Sequence, residues 1–230
     1  MKTLVILTGA GMSAESGIST FRDAGGLWEK YRIEEVATPQ AWATNPALVH
    51  KFYNARRKQL AEAQPNNGHK GLMELEQYFN VQIVTQNVDN LHERAGSSSV
   101  LHLHGELMKM RSSGPGQEVF EVQPEKIEFS IHDKCPKGYP LRPHIVWFGE
   151  EVPEIGNAAR IVEKADILVI IGTSMQVYPA AGLLHYAQPG IPLYLIDPND
   201  VEIHSNRVTV IRKGASEGVR ILKEELLKKI

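Results

Sequence analysis

The stretch Val81–Glu106, VQIVTQNVDNLHERAGSSSVLHLHGE, combines an apolar strand pattern with a cluster of polar side chains. It begins with a short apolar run, Val81 to Val84, that is typical of a buried strand. The run ends at Gln86, Asn87 and Asp89, and amide and carboxylate side chains are poor material for a core. Open α/β sheets bind their ligands at the carboxyl ends of the strands. The sequence therefore predicts a ligand site where this strand ends.

Two histidines close the same stretch. His102 and His104 alternate with leucines, so the pattern predicts a single strand that carries both rings on one face. A histidine just before a glycine at a strand end suits a general base near neutral pH, and His104 has that position. The alternative is a core histidine that is satisfied by a backbone carbonyl. The amides and the carboxylate upstream favour the base.

The composition is that of an ordinary soluble globular protein. The chain has 230 residues, 42% hydrophobic and 23% charged, which fits one large domain or one core with an inserted module. A net charge of -2 gives no support for nonspecific binding to nucleic acid or membranes. The apolar runs are shorter than a bilayer span. The single cysteine, Cys135, excludes an internal disulfide framework, and with no secretory segment before the first strand we expect a cytoplasmic protein.

A second buried strand, Thr3 to Leu7, leads into the turn Gly9-Ala10-Gly11 and a helix start. This arrangement cradles a pyrophosphate on backbone N–H groups. Gly9-x-Gly11-x-x-Ala14 fits the dinucleotide fingerprint, but no acid ends a second strand about twenty residues later, as that fingerprint requires. An ordinary hydride-transferring Rossmann enzyme is therefore disfavoured.

The second half of the chain alternates strands and helices. The pattern predicts strands at Ile167–Ile171, Leu193–Ile196 and Val208–Ile211, and helices at Glu154–Lys164, Pro179–Ala187 and Ser216–Lys228. Such alternation predicts an α/β fold with a doubly wound, mainly parallel sheet. The small-residue turn Gly172-Thr173-Ser174 suits a phosphate or a ribose. Asp197 could bond a ribose hydroxyl or cap a helix, and the sequence leaves both roles open.

A long helix begins at Asn45-Pro46, a cap followed by a proline in the first turn. Its spacing predicts an apolar stripe formed by Val49, Tyr53, Arg56 and Leu60, with Arg57 and Lys58 pointing elsewhere. Arg56 could be an arginine that snorkels from the edge of the stripe. Together with Tyr53 it could instead offer a guanidinium fork and a hydroxyl to a carboxylate.

Several separated motifs follow one another along the chain. They are Gly9-Ala10-Gly11-x-Ser13, Gly17-Ile18-x-x-Phe21-Arg22, Gln86-Asn87-x-Asp89-x-Leu91-His92, His104-Gly105-Glu106, Phe148-Gly149-Glu150, Gly172-Thr173-Ser174 and Val177-x-Pro179. In this order they resemble the sirtuins, the NAD-dependent protein-lysine deacylases, over nearly the whole chain. Tyr53-x-x-Arg56 is similar to the pair with which sirtuins active on succinyl-, malonyl- or glutaryl-lysine hold the distal carboxylate.

The resemblance implies one catalytic domain over residues 1–230. Its Rossmann-like core would cover about 1–26, 80–106 and 141–230, and a small inserted helical and hairpin module about 27–79 and 107–140. The implied catalytic residues are His104 and Asn87. The implied cofactor-binding residues are Gly9, Ala10, Gly11, Ser13, Glu15, Phe21, Arg22, Trp28, Gln86, Asn87, Val88, Asp89, Gly172, Thr173, Ser174, Asp197 and Ala215. The implied substrate-binding residues are Tyr53, Arg56, Phe148, Gly149, Glu150 and Val177, with the peptide added as a strand between 148–150 and 176–178.

The implied reaction consumes NAD as a co-substrate. The acyl-lysine carbonyl oxygen attacks the anomeric carbon of the nicotinamide ribose, and nicotinamide leaves. His104 then acts as the base on a ribose hydroxyl, and the products are free lysine and 2′-O-acyl-ADP-ribose. The implied partner is acylated lysine in proteins or peptides, without nucleic acid or membrane, and the chain is expected to be a monomer. A catalytically silent NAD or ADP-ribose sensor is the alternative, against which His104, Asn87 and Asp89 argue.

The small module departs from the family pattern. Most sirtuins hold it with a zinc ion bound by two Cys-x-x-Cys pairs, whereas this chain has Ser112, Ser113 and the lone Cys135. His132 and Cys135 cannot form a closed four-ligand site by themselves, so the sequence predicts no structural zinc. Packing of Phe120, Phe129 and Tyr139 is expected to replace it.

Overall fold

The strands form two sheets in the computed structural model, which describes residues 1–19, 30–173, 180–199 and 208–229. In chain order they are β1 (Thr3–Thr8), β2 (Asn80–Thr85), β3 (Val100–His102), β4 (Gly105–Ser112), β5 (Val119–Glu121), β6 (Leu141–Ile145), β7 (Ile167–Ile171), β8 (Leu193–Ile196) and β9 (Val208–Ile211). The larger sheet has the order β3-β2-β1-β7-β8-β9, and all of its pairings are parallel. The predicted doubly wound α/β fold is confirmed.

Helices cover both faces of the large sheet and form most of the segment between β1 and β2 that the structure describes. They are α1 (Gly11–Ala14), α2 (Ile33–Val36), α3 (Pro39–Thr44), α4 (Pro46–Glu62), α5 (Asn67–Glu74), α6 (Leu91–Ala95), α7 (Ile155–Glu163) and α8 (Ala215–Leu227), with 3₁₀ turns at Leu75–Gln77 and Ala180–Tyr186. The segment expected as a helix from 179 to 187 is thus a 3₁₀ turn where it is described. No helix in the described ranges is long and apolar enough to cross a membrane.

The central strand β1 is buried on both faces. Leu4 and Ile6 belong to the core that packs under α5 and α8, whereas Val5 and Leu7 belong to the core under α7. Successive side chains of a strand point to opposite faces, so a strand covered on both sides must be apolar throughout. This is why the sequence shows an unbroken apolar run there.

The predicted stripe of α4 is confirmed, but one neighbour was wrongly assigned. Asn45 caps the helix by accepting the N–H of Leu48 at 3.1 Å, and Tyr53 and Arg56 are buried. Arg57 was expected to point away from the packed face, yet it is fully buried. The small sheet packs on that second side of α4, which the periodicity of one helix could not reveal.

The small sheet is antiparallel, with the order β5-β4-β6. The sequence assigned the segment from 141 onward to the Rossmann-like core, and in the structure the first strand of that segment, β6, pairs with β4 of the small sheet. Beneath the sheet lies a cluster of Met110, Val122, Cys135 and Leu141, joined by Phe120 and Phe129. Tyr139, expected in that packing, is 41% exposed and covers Gly114 instead.

The single strand predicted over both histidines is wrong. β3 ends at His102, and the chain bends through His104 into β4 of the other sheet. Gly105 makes the bend possible, because its φ of 80° is one that other residues rarely adopt. A Cβ atom there would also lie 2.1 Å from the carbonyl oxygen of His144. The bend separates the two histidines into different structural roles.

Candidate active site

The carboxyl ends of the central strands meet at one edge of the large sheet. β1 lies between β2 and β7, and the chain winds outward from β1 in both directions, so β1 marks the topological switch point. Ligands of open α/β sheets bind in the crevice at such a point. The residues that follow these strands are Gly9, Gln86, Gly172 and Asp197, all of which the sequence predicted as binding residues.

The loops after β1 and β7 touch each other through glycine backbone. Gly11 N–H donates to the carbonyl oxygen of Gly172 at 2.9 Å, and Gly9 N–H donates to that of Ile171 at 3.0 Å. A Cβ atom on Gly11 would lie 2.7 Å from the Cα atom of Gly172, which itself has a φ of 59°. Only glycine permits this approach, and it leaves a surface of backbone atoms that suits a pyrophosphate. Ala10 lies half-buried in the same turn.

A buried polar network joins the β1 and β2 loops. The Asn87 amide donates to the carbonyl oxygen of Gly9 at 2.9 Å and to the Ser13 hydroxyl at 3.2 Å. The Ser13 hydroxyl in turn donates to the Asp89 carboxylate at 2.9 Å, whose other oxygen accepts the Leu91 N–H at 3.1 Å. Burial raises the pKa of Asp89, and these two hydrogen bonds oppose the rise. The structure therefore brings four predicted cofactor-binding residues together, namely Gly9, Ser13, Asn87 and Asp89.

Gln86 connects this network to His104. Its side-chain amide donates to the Thr173 hydroxyl at 3.1 Å, and its backbone carbonyl oxygen lies 3.1 Å from His104 Nδ1. A carbonyl oxygen can only accept, so Nδ1 carries the proton and Nε2 of the neutral ring has a free lone pair. Burial lowers the pKa of His104 despite that hydrogen bond, so the ring is neutral at pH 7. This is the state that a general base needs.

His102 has the structural role that was the alternative for both histidines. Its Nδ1 lies 3.0 Å from the carbonyl oxygen of Asn87, and its Nε2 lies 2.8 Å from the Glu93 carboxylate. Burial lowers the pKa of His102, but the bond and the charge of Glu93 outweigh burial and the net shift is upward. With both nitrogens donating, the ring ties the Gln86–Asn87 backbone in place. Sequence reasoning missed Glu93, because nothing in its spacing pairs it with His102.

The two residues that the sequence predicted to bind the acyl group lie together on α4. Tyr53 and Arg56 are 2% and 7% exposed. Burial raises the pKa of Tyr53 to about 12, so its hydroxyl keeps its proton. Burial lowers the pKa of Arg56, and the charges of Tyr53 and Asp89 oppose that shift, so Arg56 lies within electrostatic range of the nucleotide edge. Trp147 donates its indole N–H to the Tyr53 oxygen at 3.1 Å, a contact that the sequence did not predict.

The motif after β6 is held by an ion pair. The Glu150 carboxylate accepts two bonds from Arg142 at 2.7 and 3.0 Å and the backbone N–H of Trp147 at 2.8 Å. Gly149 has a φ of 89°. Phe148 is 42% exposed, and its N–H donates to the carbonyl oxygen of Ala37 at 3.0 Å. Phe148, one of the residues beside which the peptide strand was expected, is thus partly exposed.

Three predicted cofactor-binding residues, Glu15, Ala215 and Val88, make structural contacts outside the hydrogen-bond network of Asn87, Ser13 and Asp89. Glu15 is exposed, and its carboxylate accepts the Ser216 N–H at 3.1 Å at the start of α8. Ala215, the first residue of α8, is buried in the core. Val88 is buried in the same cluster as Leu107, and its carbonyl oxygen accepts the Leu107 N–H at 2.7 Å.

Asp197 is buried and accepts the Asn199 N–H at 2.9 Å, which closes a turn. Whether it also caps a helix depends on residues after 199 that lie outside the described part of the chain. Five further predicted residues also lie outside the described ranges, namely Phe21, Arg22, Trp28, Ser174 and Val177.

Comparison with known proteins identifies the family. Residues 9–179 match the Sir2 family. The chain belongs to the Sir2 family. It is similar to an NAD-dependent protein deacylase of Bacteroides thetaiotaomicron, with 63% identity over 231 residues and 99% of each chain covered. An NAD-dependent protein deacylase of Helicobacter pylori strain J99 is 48% identical over 237 residues, which cover 99% of this chain and 100% of that protein. The solved structure of a Sir2 homologue with NAD is 43% identical, with a TM-score of 0.89 and coverage of 99% of this chain and 90% of the other.

The small module of this Sir2 protein does not fit a structural zinc ion. Among the described residues, no group of three or more His, Cys, Asp or Glu side chains is placed to hold a metal. The Ser112 hydroxyl donates to the Cys135 sulfur at 3.4 Å, and both side chains are buried. A serine thus bonds the lone thiol, and one thiolate is far short of the four ligands of a structural site.

Proposed function

We propose that this Sir2 protein is an NAD-dependent protein-lysine deacylase that removes acidic acyl groups such as succinyl as well as acetyl. The observation that carries the proposal is the neutral His104 ring, whose Nε2 is left free by the bond from Nδ1 to the Gln86 carbonyl. The His104 ring lies at the edge of the large sheet that contains the topological switch point, where a nucleotide is expected. The names of the close relatives, NAD-dependent protein deacylase, support the same reaction.

Each polar residue of the edge has a role in this reaction. The backbone at Gly9 and Gly172 would take the pyrophosphate, Gln86 and Asn87 would hold ribose hydroxyls, and Asp89 would bond the nicotinamide carboxamide. NAD is a substrate here: its bond to nicotinamide breaks as the acyl oxygen attacks the anomeric carbon. His104 Nε2 then takes the proton of a ribose hydroxyl, whose oxygen attacks the acyl carbon. Addition of water releases lysine and 2′-O-acyl-ADP-ribose.

The preference for acidic acyl groups rests on Tyr53 and Arg56. A succinyl carboxylate buried without a partner is strongly disfavoured, whereas a guanidinium fork and a phenol satisfy it. Both side chains are buried, and the charge of Asp89 acts on Arg56. An acetyl group ends in a methyl group and gives this pair nothing to bind. We therefore propose that the pair selects the acyl group.

The test compares matched acetyl- and succinyl-lysine peptides with wild type and Arg56→Met. Loss of a hydrogen bond to a charged group, about 1.5–3 kcal/mol, should lower kcat/KM on the succinyl peptide by about 10- to 150-fold. Activity on the acetyl peptide should change far less. Arg57→Met is the matched control, because it removes the adjacent buried arginine and should leave the ratio of the two activities unchanged.

The outcomes separate the alternatives. Equal losses on both peptides would make Arg56 a structural residue, and an unchanged succinyl rate would remove it from the acyl site. NAD binding without nicotinamide release on either peptide would instead support the sensor. An increase in the absorbance of the chemically reduced nicotinamide cofactor would support a dehydrogenase.

We further propose that the chain 1–230 acts as one catalytic domain. We expect a monomer, located in the cytoplasm, that acts on acylated proteins and binds neither nucleic acid nor membranes. The net charge of -2 and the single cysteine support this setting. Size-exclusion chromatography with light scattering tests the monomer, and a mass near twice 25.6 kDa would contradict it.

A further inference from the structure

The indole of Trp147 fixes the direction of the Tyr53 hydroxyl. Its Nε1 lies 3.1 Å from the Tyr53 oxygen, and both side chains are 2% exposed. An indole N–H can only donate, so the phenol oxygen accepts and its proton must point away from Trp147. The edge-on contact with the Phe52 ring, at a centroid distance of 4.9 Å, confines the phenol further.

That proton has no acceptor in the part of the chain that the structure describes. The only hydrogen bond of the Tyr53 side chain there is the one it accepts from Trp147. Water cannot serve freely, because Tyr53 is almost fully buried. Buried donors in folded proteins are nearly always satisfied, so an exception calls for a functional reason. A carboxylate brought in by a substrate is a suitable acceptor.

Trp147 is itself held rigidly. The guanidinium carbon of Arg142 lies 3.4 Å from the centroid of its ring. Glu150 binds Arg142 through both carboxylate oxygens and also accepts the Trp147 backbone N–H at 2.8 Å. The indole therefore keeps its N–H on the Tyr53 oxygen rather than rotating away.

We propose that Trp147 is a specificity-determining positioning residue that reserves the Tyr53 proton for the distal carboxylate of an acidic acyl group. The inference rests on the proposed function of Tyr53 and Arg56. Without the indole N–H, the phenol could turn its proton to either side, and part of its population would face away from the carboxylate. An acetyl-lysine substrate offers no acceptor there and is indifferent to that direction.

The experiment measures the ratio of kcat/KM for succinyl- and acetyl-lysine peptides. Trp147→Phe keeps an aromatic ring against Arg142 but removes the donor, and it should lower the ratio by about 3- to 10-fold, the range of one net hydrogen bond. The loss should appear mainly in KM for the succinyl peptide. In a Tyr53→Phe background, the same substitution should change the ratio by less than about 2-fold, because the hydroxyl that it orients is gone.

Two further variants keep the test decisive. Trp42→Phe is the matched control, because Trp42 packs against Trp147 with ring centroids 6.0 Å apart but is not bonded to Tyr53, and the ratio should not change. Trp147→His retains a ring N–H and should keep more of the ratio than Trp147→Phe. Each ratio is measured on one sample, so it does not depend on the fraction of folded protein.

The results distinguish this inference from the proposed function. If Tyr53→Phe and Arg56→Met leave the ratio unchanged, the acyl site itself is wrong. If those two lower the ratio and Trp147→Phe does not, the role of Trp147 alone is overturned. Equal losses for Trp147→Phe and Trp147→His, or full additivity with Tyr53→Phe, would also overturn it.

Discussion

Arg57 links α4 to the small sheet, and we predict that Arg57→Met destabilises the protein. Its Nε donates to the carbonyl oxygen of Leu107 at 2.7 Å, and its other nitrogens donate to Asn54 at 3.0 Å and to the Met110 sulfur at 2.9 Å. The guanidinium also lies 5.3 Å from the centroid of the Phe129 ring. One side chain thus joins the helix, strand β4 and the irregular segment that contains Phe129.

The size of the effect follows from the group left without a partner. Leu107 lies where the register of β4 and β6 is irregular, between the pairs formed by Gly105 and Met110. Removing the Arg57 side chain takes away the hydrogen bond to the buried carbonyl oxygen of Leu107, and leaving that oxygen unsatisfied costs about 1–3 kcal/mol. The lost cation–π contact adds roughly 1 kcal/mol. Relief of a buried charge, whose pKa burial lowers to about 10, offsets part of the sum. We expect a net loss of about 1–3 kcal/mol.

Urea denaturation followed by circular dichroism measures this loss. The control is Lys58→Met at the next position, where the lysine is 54% exposed and pairs with Glu128 on the surface. That variant should stay within about 0.5 kcal/mol of wild type. Arg57→Lys should recover little, because an ammonium cannot reproduce the planar fork. If Arg57→Met is as stable as Lys58→Met, then Arg57 does not hold the module.

The remaining predictions concern metal content, the base and pH. Protein purified without a metal-affinity tag should contain well under one zinc per chain by elemental analysis, because Cys135 supplies the only thiol; a ratio near one would refute this. His104→Ala should lower deacylation by about 10²- to 10⁴-fold while NAD binding persists, and a loss within about threefold would exclude His104 as the base. The acid limb of kcat/KM in wild type should have its midpoint below pH 6.5, because burial lowers the pKa of His104 and only the neutral ring accepts a proton. Burial also lowers the pKa values of His50 and His69 from 6.5 to about 4. Between these two pH values the unfolded state binds protons that the folded state does not. The free energy of unfolding should therefore decrease as the pH falls from 6.5 to about 4. His50→Leu should reduce the loss of unfolding free energy between pH 7 and pH 5, as measured by urea titrations at the two pH values. A loss equal to that of wild type would argue against His50 as a contributor.

Much of the architecture was predictable because it depends on local pattern. The apolar runs of β1, β2 and β7 are continuous where strands are covered on both faces, and the predicted bounds match closely. The residues after those strands were predictable as a site for a general reason, since parallel strands bring their carboxyl ends to one edge. In the structure, Asn87 lies at that edge and contacts Gly9 and Ser13.

Other features depend on contacts between distant segments, and these were missed or assigned wrongly. Alternation with leucine put His102 and His104 on one strand, but the turn at Gly105 moves the chain into a second sheet. Helical periodicity gave α4 one buried stripe, but it cannot report that another layer covers the opposite side and buries Arg57.

Local patterns of the chain predict the parallel sheet, the candidate ligand-binding edge and the candidate base, because periodicity and strand-end chemistry are local properties. The hydrogen-bond state of each of these groups depends on tertiary contacts. The free nitrogen of His104 follows from the carbonyl of Gln86, 18 positions away, and the direction of the Tyr53 proton follows from Trp147, 94 positions away. Hydrogen-bond direction depends on which partners folding brings within about 3 Å, and that information is not contained in any one segment.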